Sequence, residues 1–147
     1  MKISIVKRKT PAVKQFEEIE WPIADLEHYG TRDVDFKVHP FYLSATEKSE
    51  VLGIMVGKIQ GGVCTVNDLI VAHDKRGQGI GKKLMSAIEK YALENGAHKI
   101  RLLTGDGWPA IKFYEQLGYK ETGRRLNDML HVDFIEFTKF LETSDGR

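Results

Sequence analysis

The sequence predicts an α/β fold, a mixed and mostly antiparallel sheet with a central parallel pair of strands, flanked by helices. Two observations predict it. Apolar residues follow a strand-like period along several short runs and change to a helical period at residues 80–91 and 110–117. Residues 63–104 then read strand, helix, strand, which makes the two strands parallel with a right-handed crossover. We expect the 147 residues, 1–147, to form a single domain.

The first elements are a strand and a helix. Residues 3–7 predict a short strand, and residues 11–29 predict a helix that ends at Gly30. Pro22 lacks a backbone donor and clashes with the preceding turn, so we expect it to divide this helix into two pieces. The helical spacing is carried by four apolar residues: Val13, Phe16, Ile19 and Ile23.

Three extended runs follow, which together are rich in Val, Ile and Phe. They cover residues 35–44, 51–60 and 63–71. The first two are separated by residues 46–49, and the last two by Gly61-Gly62. Both separators are typical of hairpins, which predicts that this part of the sheet is antiparallel.

Two helices and three strands complete the chain. Asn95-Gly96 supplies a stop for the first helix, whose apolar stripe is Ile80, Leu84, Ile88 and Tyr91. Residues 98–104 predict a strand, and Pro109 suits the first turn of the second helix, which ends at Gly118. The inner face of that helix is predicted to be Ala110, Phe113, Tyr114 and Leu117. The final strands, residues 119–125 and 131–141, meet across Asn127-Asp128.

Composition excludes several classes of protein. With 41% hydrophobic, 10% aromatic and 29% charged residues, the chain is not intrinsically disordered, collagen-like or a coiled coil. The formal net charge of +1 provides no field that attracts nucleic acid or an anionic membrane. Cys64 is the single cysteine, so an internal disulfide and a cysteine-built zinc site are excluded. No long apolar run follows Lys2, so we expect no signal peptide, no membrane span and a cytoplasmic location.

The most informative stretch runs from Val71 to Leu84, where a strand ends, a turn with alternating glycines follows and an amphipathic helix begins. Glycines let a ligand approach the main chain, and the amides and dipole of a first helical turn attract anions. Residues 73–83 have a net charge of +3, from four cations and one anion: Lys75, Arg76, Lys82, Lys83 and Asp74. The turn therefore predicts a phosphate site, with a tight turn that serves only packing as the alternative.

Two common phosphate motifs do not fit this turn. A P-loop needs glycine five residues before its Gly-Lys pair and Ser or Thr after it, where the sequence has Arg76 and Lys83. A dinucleotide fingerprint needs a third glycine three residues after the second, where the sequence has Lys82 or Leu84.

The turn does contain Arg-x-x-Gly-x-Gly, from Arg76 to Gly81, directly after Asp68-Leu69-Ile70-Val71. This motif resembles the acyl-CoA pyrophosphate loop of the GNAT superfamily of N-acetyltransferases. A second block, Ala-Ile-Lys-Phe-Tyr-Glu-Gln-Leu-Gly-Tyr at residues 110–119, resembles that family's Ala-x-x-Phe-Tyr-x-x-x-Gly-(Phe/Tyr) helix. One helix and one strand separate the blocks, and the order of elements is similar over residues 1–141.

The resemblance implies a GNAT-like fold and an acetyl-CoA-dependent N-acetyltransferase that acts on a primary amine by direct attack on the thioester. We also expect no metal, no nucleic-acid or membrane partner, and a monomer or homodimer. The residues that it assigns to the cofactor are Leu69, Ile70, Val71, Arg76, Gly77, Gln78, Gly79, Ile80, Gly81, Lys82, Ala110 and Phe113. The main chain of residues 69–71 would pair with the pantetheine arm like an added strand, because the family splays two parallel strands apart here.

Amide formation from a thioester also needs a proton for the departing thiolate. The resemblance places Tyr114 beside the cofactor sulfur, which makes its hydroxyl the candidate acid. The alternative is that Tyr114 only packs on the inner face of its helix with Phe113 and Leu117.

The general base is less well defined. Some family members carry a glutamate where this sequence has Thr65, and Asn67 cannot replace it. Asp68 is the nearest acid and the candidate catalytic base, although strand parity directs it to the face opposite Thr65 and Asn67. The other candidates are Asp106, Glu20, His131 and water. The family's asparagine before the second block is also missing, with Asp106-Gly107-Trp108 in its place.

Other residues have ordinary explanations. The histidines show no metal spacing, and Cys64 is typical of a small buried strand residue. Trp21-Pro22 and Trp108-Pro109 either border an acceptor pocket or pack, and the variable loops at residues 21–33 and 124–131 would shape that pocket. Two functional alternatives remain, a non-catalytic acyl-CoA binding or sensing module and an acyltransferase that uses a longer acyl-CoA. The first is motivated by the missing glutamate.

Overall fold

The computed structural model describes residues 1–142, which divide into two compact units. The first unit is residues 1–36, and the second begins at residue 37. None of the helices within residues 1–142 has the length and apolar character needed to cross a bilayer.

Helix α1 (Pro11–Tyr29) is the regular element of the first unit. Thr10 caps its start, because the Thr10 hydroxyl accepts a hydrogen bond from the backbone N–H of Val13 at 3.3 Å. Gly30 ends it in the left-handed conformation, with φ +74°. No residue of α1 is buried.

Two sequence predictions for this unit are wrong. Residues 3–7 form no strand, and Ile3 and Ile5 are 83% and 101% exposed. An isolated strand there would leave backbone groups unpaired and bury no apolar surface. Pro22 lies inside α1 without dividing it. Because the helix is exposed, water can solvate the carbonyl that loses its partner at Pro22.

The second unit is a six-stranded mixed sheet with strand order β1-β2-β3-β4-β6-β5. Its strands are β1 (His39–Glu47), β2 (Glu50–Gln60), β3 (Val63–Val71), β4 (Lys99–Gly105), β5 (Lys120–Arg125) and β6 (Phe134–Phe140). Helix α2 (Ile80–Glu94) connects β3 to β4, and helix α3 (Ala110–Gln116) connects β4 to β5. The predicted mixed sheet with one parallel pair is confirmed. Strand β6 begins later than predicted, because Met129–His131 forms a short 3-10 turn.

The core lies on one face of the sheet. Helix α2 contributes five buried residues: Ile80, Leu84, Met85, Ile88 and Ala92. The strands contribute Phe41, Met55, Ile59, Cys64, Val66, Ile100, Leu102, Ile135 and Phe137. Burial of each large aliphatic or aromatic side chain contributes about 1.5–3 kcal/mol relative to exposure. Tyr91, predicted as part of the α2 stripe, is instead 42% exposed, and its ring lies edge-on to that of Phe41 with 6.4 Å between the centroids.

The central parallel pair is short. Strands β3 and β4 pair only from Val63 to Val66 and from Lys99 to Leu102. Beyond Val66, β3 keeps β2 as its neighbour, while β4 continues alongside β6. The two strands therefore stop pairing at mid-length and leave an open edge on β3.

A bulge in β3 accompanies this separation. In the antiparallel pairing with β2, Gly57 lies opposite Val66 but Val56 lies opposite Asp68, so Asn67 is an inserted residue. Thr65 lies opposite Lys58, two residues from Val56, and Asp68 therefore shares a face with Thr65. The parity argument that directed Asp68 to the opposite face is wrong, because the bulge shifts the alternation by one residue.

Candidate active site

The glycine turn links the end of β3 to the start of α2. Gly77 and Gly79 adopt φ of +77° and +80°, which side chains rarely adopt, and a Cβ on either would meet nothing within 4 Å. The turn is tied to the strand by Arg76, whose Nε donates to the carbonyl of Val71 at 3.4 Å. The first α2 backbone bond runs from the N–H of Lys83 to Gly79, so the preceding amides have no acceptor within the helix.

A cleft of about 820 Å³ adjoins this turn. It is lined by Leu69, Val71, Lys75, Arg76, Gly77, Gly79, Ile80, Gly81, Lys82, Trp108, Pro109, Ala110, Phe113, Tyr114, Gln116 and Leu117. The structure thus brings together the unpaired half of β3, the first turn of α2 and one face of α3. Three cations line it, Lys75, Arg76 and Lys82, which suits an anionic ligand.

Glycine at position 81 allows the two helices beside the cleft to approach closely. A Cβ built on Gly81 would lie 3.2 Å from the ring of Phe113 in α3, which is tighter than ordinary side-chain contact. Trp108 lies at the start of α3, where its ring packs over Gly105 and stacks edge-on against Phe134 at 5.7 Å. Half of the Trp108 side chain remains exposed to the cleft and solvent.

Tyr114 lines the same cleft and is 7% exposed. Its ring packs among Phe113 at 5.1 Å, Tyr119 at 5.9 Å and Phe137 at 6.4 Å. Burial raises the pKa of Tyr114 above that of an ordinary tyrosine, so the hydroxyl stays protonated at neutral pH. Within residues 1–142, no protein group forms a hydrogen bond with this hydroxyl. Its partner therefore comes from the cleft, as a bound ligand or water.

Comparisons with known proteins decide the family. The model of the acetyltransferase (GNAT) family matches residues 10–119. The chain belongs to the GNAT acetyltransferase family. An acetyltransferase of Sodalis glossinidius (strain morsitans) is 34% identical over 100 residues, which cover 67% of each chain.

Solved structures of acetyltransferases show the same fold. A putative acetyltransferase from Agrobacterium tumefaciens aligns with TM-score 0.68 and 20% identity over 96% of this chain and 100% of its own. An acetyltransferase from Bacillus cereus ATCC 14579 aligns with TM-score 0.71 and 21% identity over 94% and 98%. An aminoglycoside 6'-N-acetyltransferase, solved with coenzyme A, aligns with TM-score 0.64 and 21% identity over 95% and 97%.

Most of the cofactor residues suggested by the GNAT motifs line the cleft, and three of the suggested site residues do not. Ile70 is 57% exposed and lies opposite Ile54 of β2, on the outer face of the sheet. Gln78 is exposed in the turn between two glycines that do line the cleft. Asp68 is exposed on the bulged strand and is not among the residues that line the cleft, although its neighbour Leu69 is.

The other candidate bases are also outside the cleft lining. Asp106 forms an ion pair with Arg124 at 3.3 Å. The Nδ1 of His131 lies 3.0 Å from the side-chain oxygen of Asn127, in the turn before β6. Glu20 belongs to α1, in the first unit. The described lining of the cleft contains no Asp, Glu or His side chain.

Cys64 is not among the residues that line the cleft. Cys64 is fully buried, and desolvation raises the pKa of its thiol from 9.0 to about 12, which makes it a poor nucleophile. Among residues 1–142, the His, Cys, Asp and Glu side chains form no group of three that could hold a metal ion.

Sequence reasoning did not assign Lys75 and Gln116 to the cofactor site. The local positive charge around the glycine turn was the signal for Lys75. The signal for Gln116 was helical period, because Pro109, Phe113 and Gln116 follow one another at spacings of four and three along the face of α3.

Proposed function

We propose that the protein transfers an acetyl group from acetyl-CoA to a primary amine by direct attack of the amine on the thioester. The observation that carries the proposal is the cleft itself, in which the unpaired half of β3, the free amides of α2 and the Tyr114 hydroxyl come together. Membership of the GNAT family supports the acetyl donor and the transfer reaction.

The cofactor would be held by main-chain groups. The amides of residues 76–82 would bind the pyrophosphate, helped by the positive end of α2 and by the three cations of the cleft. The pantetheine arm would pair with residues 69–71, because β4 no longer supplies hydrogen bonds to that edge of β3. Ala110 and Phe113 would form the apolar wall opposite it.

The chemistry follows from the groups that surround the thioester. The lone pair of a neutral amine attacks the carbonyl carbon, the carbon–sulfur bond breaks, and the thiolate takes a proton from the Tyr114 hydroxyl. The new amide nitrogen releases its extra proton, and the tyrosine is reprotonated, so the reaction is balanced without a metal or redox partner. The raised pKa of Tyr114 keeps this donor protonated before each turnover.

We propose that water removes the proton of the attacking amine, because the described cleft lining holds no carboxylate or imidazole. Asp68 is the alternative base, since the bulge places it on the same face as Thr65. The variant Asp68→Asn distinguishes the two. A loss of less than about threefold in kcat/KM supports water, and a loss of the 10²–10⁴-fold typical of general bases supports Asp68.

A second candidate function is a non-catalytic acyl-CoA binding module, favoured by the same lack of an acid or imidazole in the cleft. Acetyl-CoA is incubated with a panel of primary amines, and free thiol is measured with and without protein. Amine-dependent thiol release supports the transferase. Thermal stabilisation by acetyl-CoA without thiol release for any amine supports the binding module.

A further inference from the structure

A polar network joins α2, β6 and the short connection between α3 and β5. The Tyr119 hydroxyl donates to Oε1 of Glu89 at 3.2 Å. The Lys139 ammonium donates to both oxygens of the same carboxylate at 3.1 Å and lies 5.7 Å from the centre of the Tyr119 ring. One carboxylate thus anchors two side chains, one from β6 and one from the connection that precedes β5.

Tyr119 is joined to Tyr114 in two ways. The rings meet edge-on with centroids 5.9 Å apart, and the backbone N–H of Tyr119 donates to the carbonyl of Tyr114 at 3.1 Å. Since no protein group within residues 1–142 binds the Tyr114 hydroxyl, ring packing alone sets its direction. Among the described rings that pack against Tyr114, Tyr119 is the only one that is itself fixed by a side-chain hydrogen bond.

Stability alone does not explain this network. Partly burying an ion pair and a phenol carries a desolvation cost, and apolar residues of similar volume are often as stable or more so. A phenylalanine at position 119 would keep the ring contacts. The hydroxyl, held at Glu89, adds a fixed orientation for the ring, and burial together with the nearby carboxylate raises the pKa of Tyr119 so that it remains a donor.

We propose that Glu89 and Tyr119 are positioning residues for the reaction, holding the ring of Tyr114 so that its hydroxyl points to the thioester sulfur. Glu89 anchors the Tyr119 hydroxyl, Lys139 fixes the carboxylate, and the Tyr119 ring then confines the Tyr114 ring. This inference rests on the proposed role of Tyr114 as the proton donor.

The kinetic test uses Tyr119→Phe, which removes the phenol's hydrogen bond to Glu89, and Glu89→Gln, which keeps size and replaces the carboxylate that pairs with Lys139 by a neutral amide. We expect kcat to fall on the order of 10-fold in each variant, below the 10²-fold that a displacement of 1 Å can cost. The KM for acetyl-CoA should not change, because neither residue lines the cleft. The matched control is Glu94→Gln, which removes the same charge from α2 at an exposed pair with Lys90 and should leave kcat unchanged.

The decisive comparison is made in a Tyr114→Phe background. If the network acts through the Tyr114 hydroxyl, Tyr119→Phe causes no further loss of kcat there. The same 10-fold loss in that background, or wild-type kcat in both single variants, overturns the inference while leaving the proposed function intact. Wild-type kcat in Tyr114→Phe itself removes Tyr114 as the donor and overturns the inference with it.

A second measurement needs no acceptor amine. In protein with ¹³C-labelled tyrosine rings, the Tyr114 resonances are assigned by their loss in Tyr114→Phe, and the ring-flip rate is measured by NMR exchange. Faster flips of Tyr114 in Tyr119→Phe and Glu89→Gln, but not in Glu94→Gln, support the inference. Unchanged flip rates overturn it even if no amine is ever acetylated.

Discussion

Both halves of β3 pair with β2 on one side, but only the first half pairs with β4 on the other. From Val63 to Val66 the strand is paired with both β2 and β4, and Cys64 and Val66 are buried. From Asn67 onward it keeps β2 alone, and Leu69 and Val71 line the cleft. The difference shows that a binding edge can be made inside a sheet by ending one strand pairing early. We call the first part the closed half and the second the open half.

The largest effect is expected at Tyr114, the proposed acid, which lines the cleft beside the open half. Tyr114→Phe removes one hydroxyl and keeps the ring, so kcat should fall by about 10²–10⁴-fold, roughly 3–5 kcal/mol of barrier, while the affinity for acetyl-CoA is retained. Steady-state kinetics with the best amine and calorimetry with CoA check it. A loss of only a few-fold in kcat, with a lower melting temperature, would show that Tyr114 serves packing.

A change in β4 beside the closed half should have the reverse signature, a loss of stability without a loss of ligand affinity. Leu102 is 3% exposed and lies opposite Val66, where the parallel pairing ends. Leu102→Ala should lower the free energy of unfolding by about 2–5 kcal/mol and leave the Kd for CoA unchanged. Urea unfolding and calorimetry measure the two quantities. The neighbour Leu103, only half-buried, is the control, and its alanine variant should cost less. A higher Kd for CoA in Leu102→Ala would mean that packing beside the closed half also determines binding at the open half.

The glycine turn should affect ligand binding more than folding. Gly79→Val places a branched side chain where the ligand must approach, and should remove the stabilisation by CoA, about 2.7 kcal/mol at 100 times Kd. The strained φ of +80° also destabilises the variant itself. Gly96→Val is the matched control, because Gly96 has φ +81° and equal free space but lies beyond the other end of α2. Full CoA stabilisation in Gly79→Val would contradict the assignment of the turn.

The smallest effect is expected in thiol reactivity, compared between positions 64 and 69 of β3. Cys64, with its pKa raised to about 12, should react slowly with a thiol reagent at pH 8 until the protein unfolds. In a Cys64→Ala background, Leu69→Cys should react readily and be protected by CoA. Rapid labelling of native Cys64 would mean that the closed half opens.

The Cys64 thiol also makes stability depend on pH. Because its pKa is higher in the native state than in the unfolded chain, its contribution to the free energy of unfolding should decrease as pH rises from 9 toward 12.

Much of the second unit was predictable because each element carries its own periodic signal. The hairpin turns, the α2 stripe and the glycine turn all lie in local sequence, and local sequence determines them. The motifs also located the cleft lining on β3, α2 and α3, although the backbone edge of β3 is visible only once the pairing is known.

The wrong predictions concern places where the local structure depends on a partner far away in the sequence or on a single inserted residue. Residues 3–7 have a strand-like composition but no strand to pair with in the described chain, and Pro22 is tolerated because its helix faces water. Nothing in the alternation of β3 marks Asn67 as the inserted residue, so the faces beyond it were assigned wrongly. The bonds from Tyr119 and Lys139 to Glu89 join residues 30 and 50 positions apart, which no local pattern reveals.

A cleft whose described walls carry cations and a phenol, but no side chain that accepts a proton near neutral pH, has a consequence for which amines react. The fraction of an acceptor that is uncharged in bulk water then sets how often productive encounters occur. Weakly basic amines, which are mostly neutral at physiological pH, would compete well against strongly basic ones of similar shape. Selection among acceptors would begin in solution, as a property of the nucleophile, before the protein's surface distinguishes one from another.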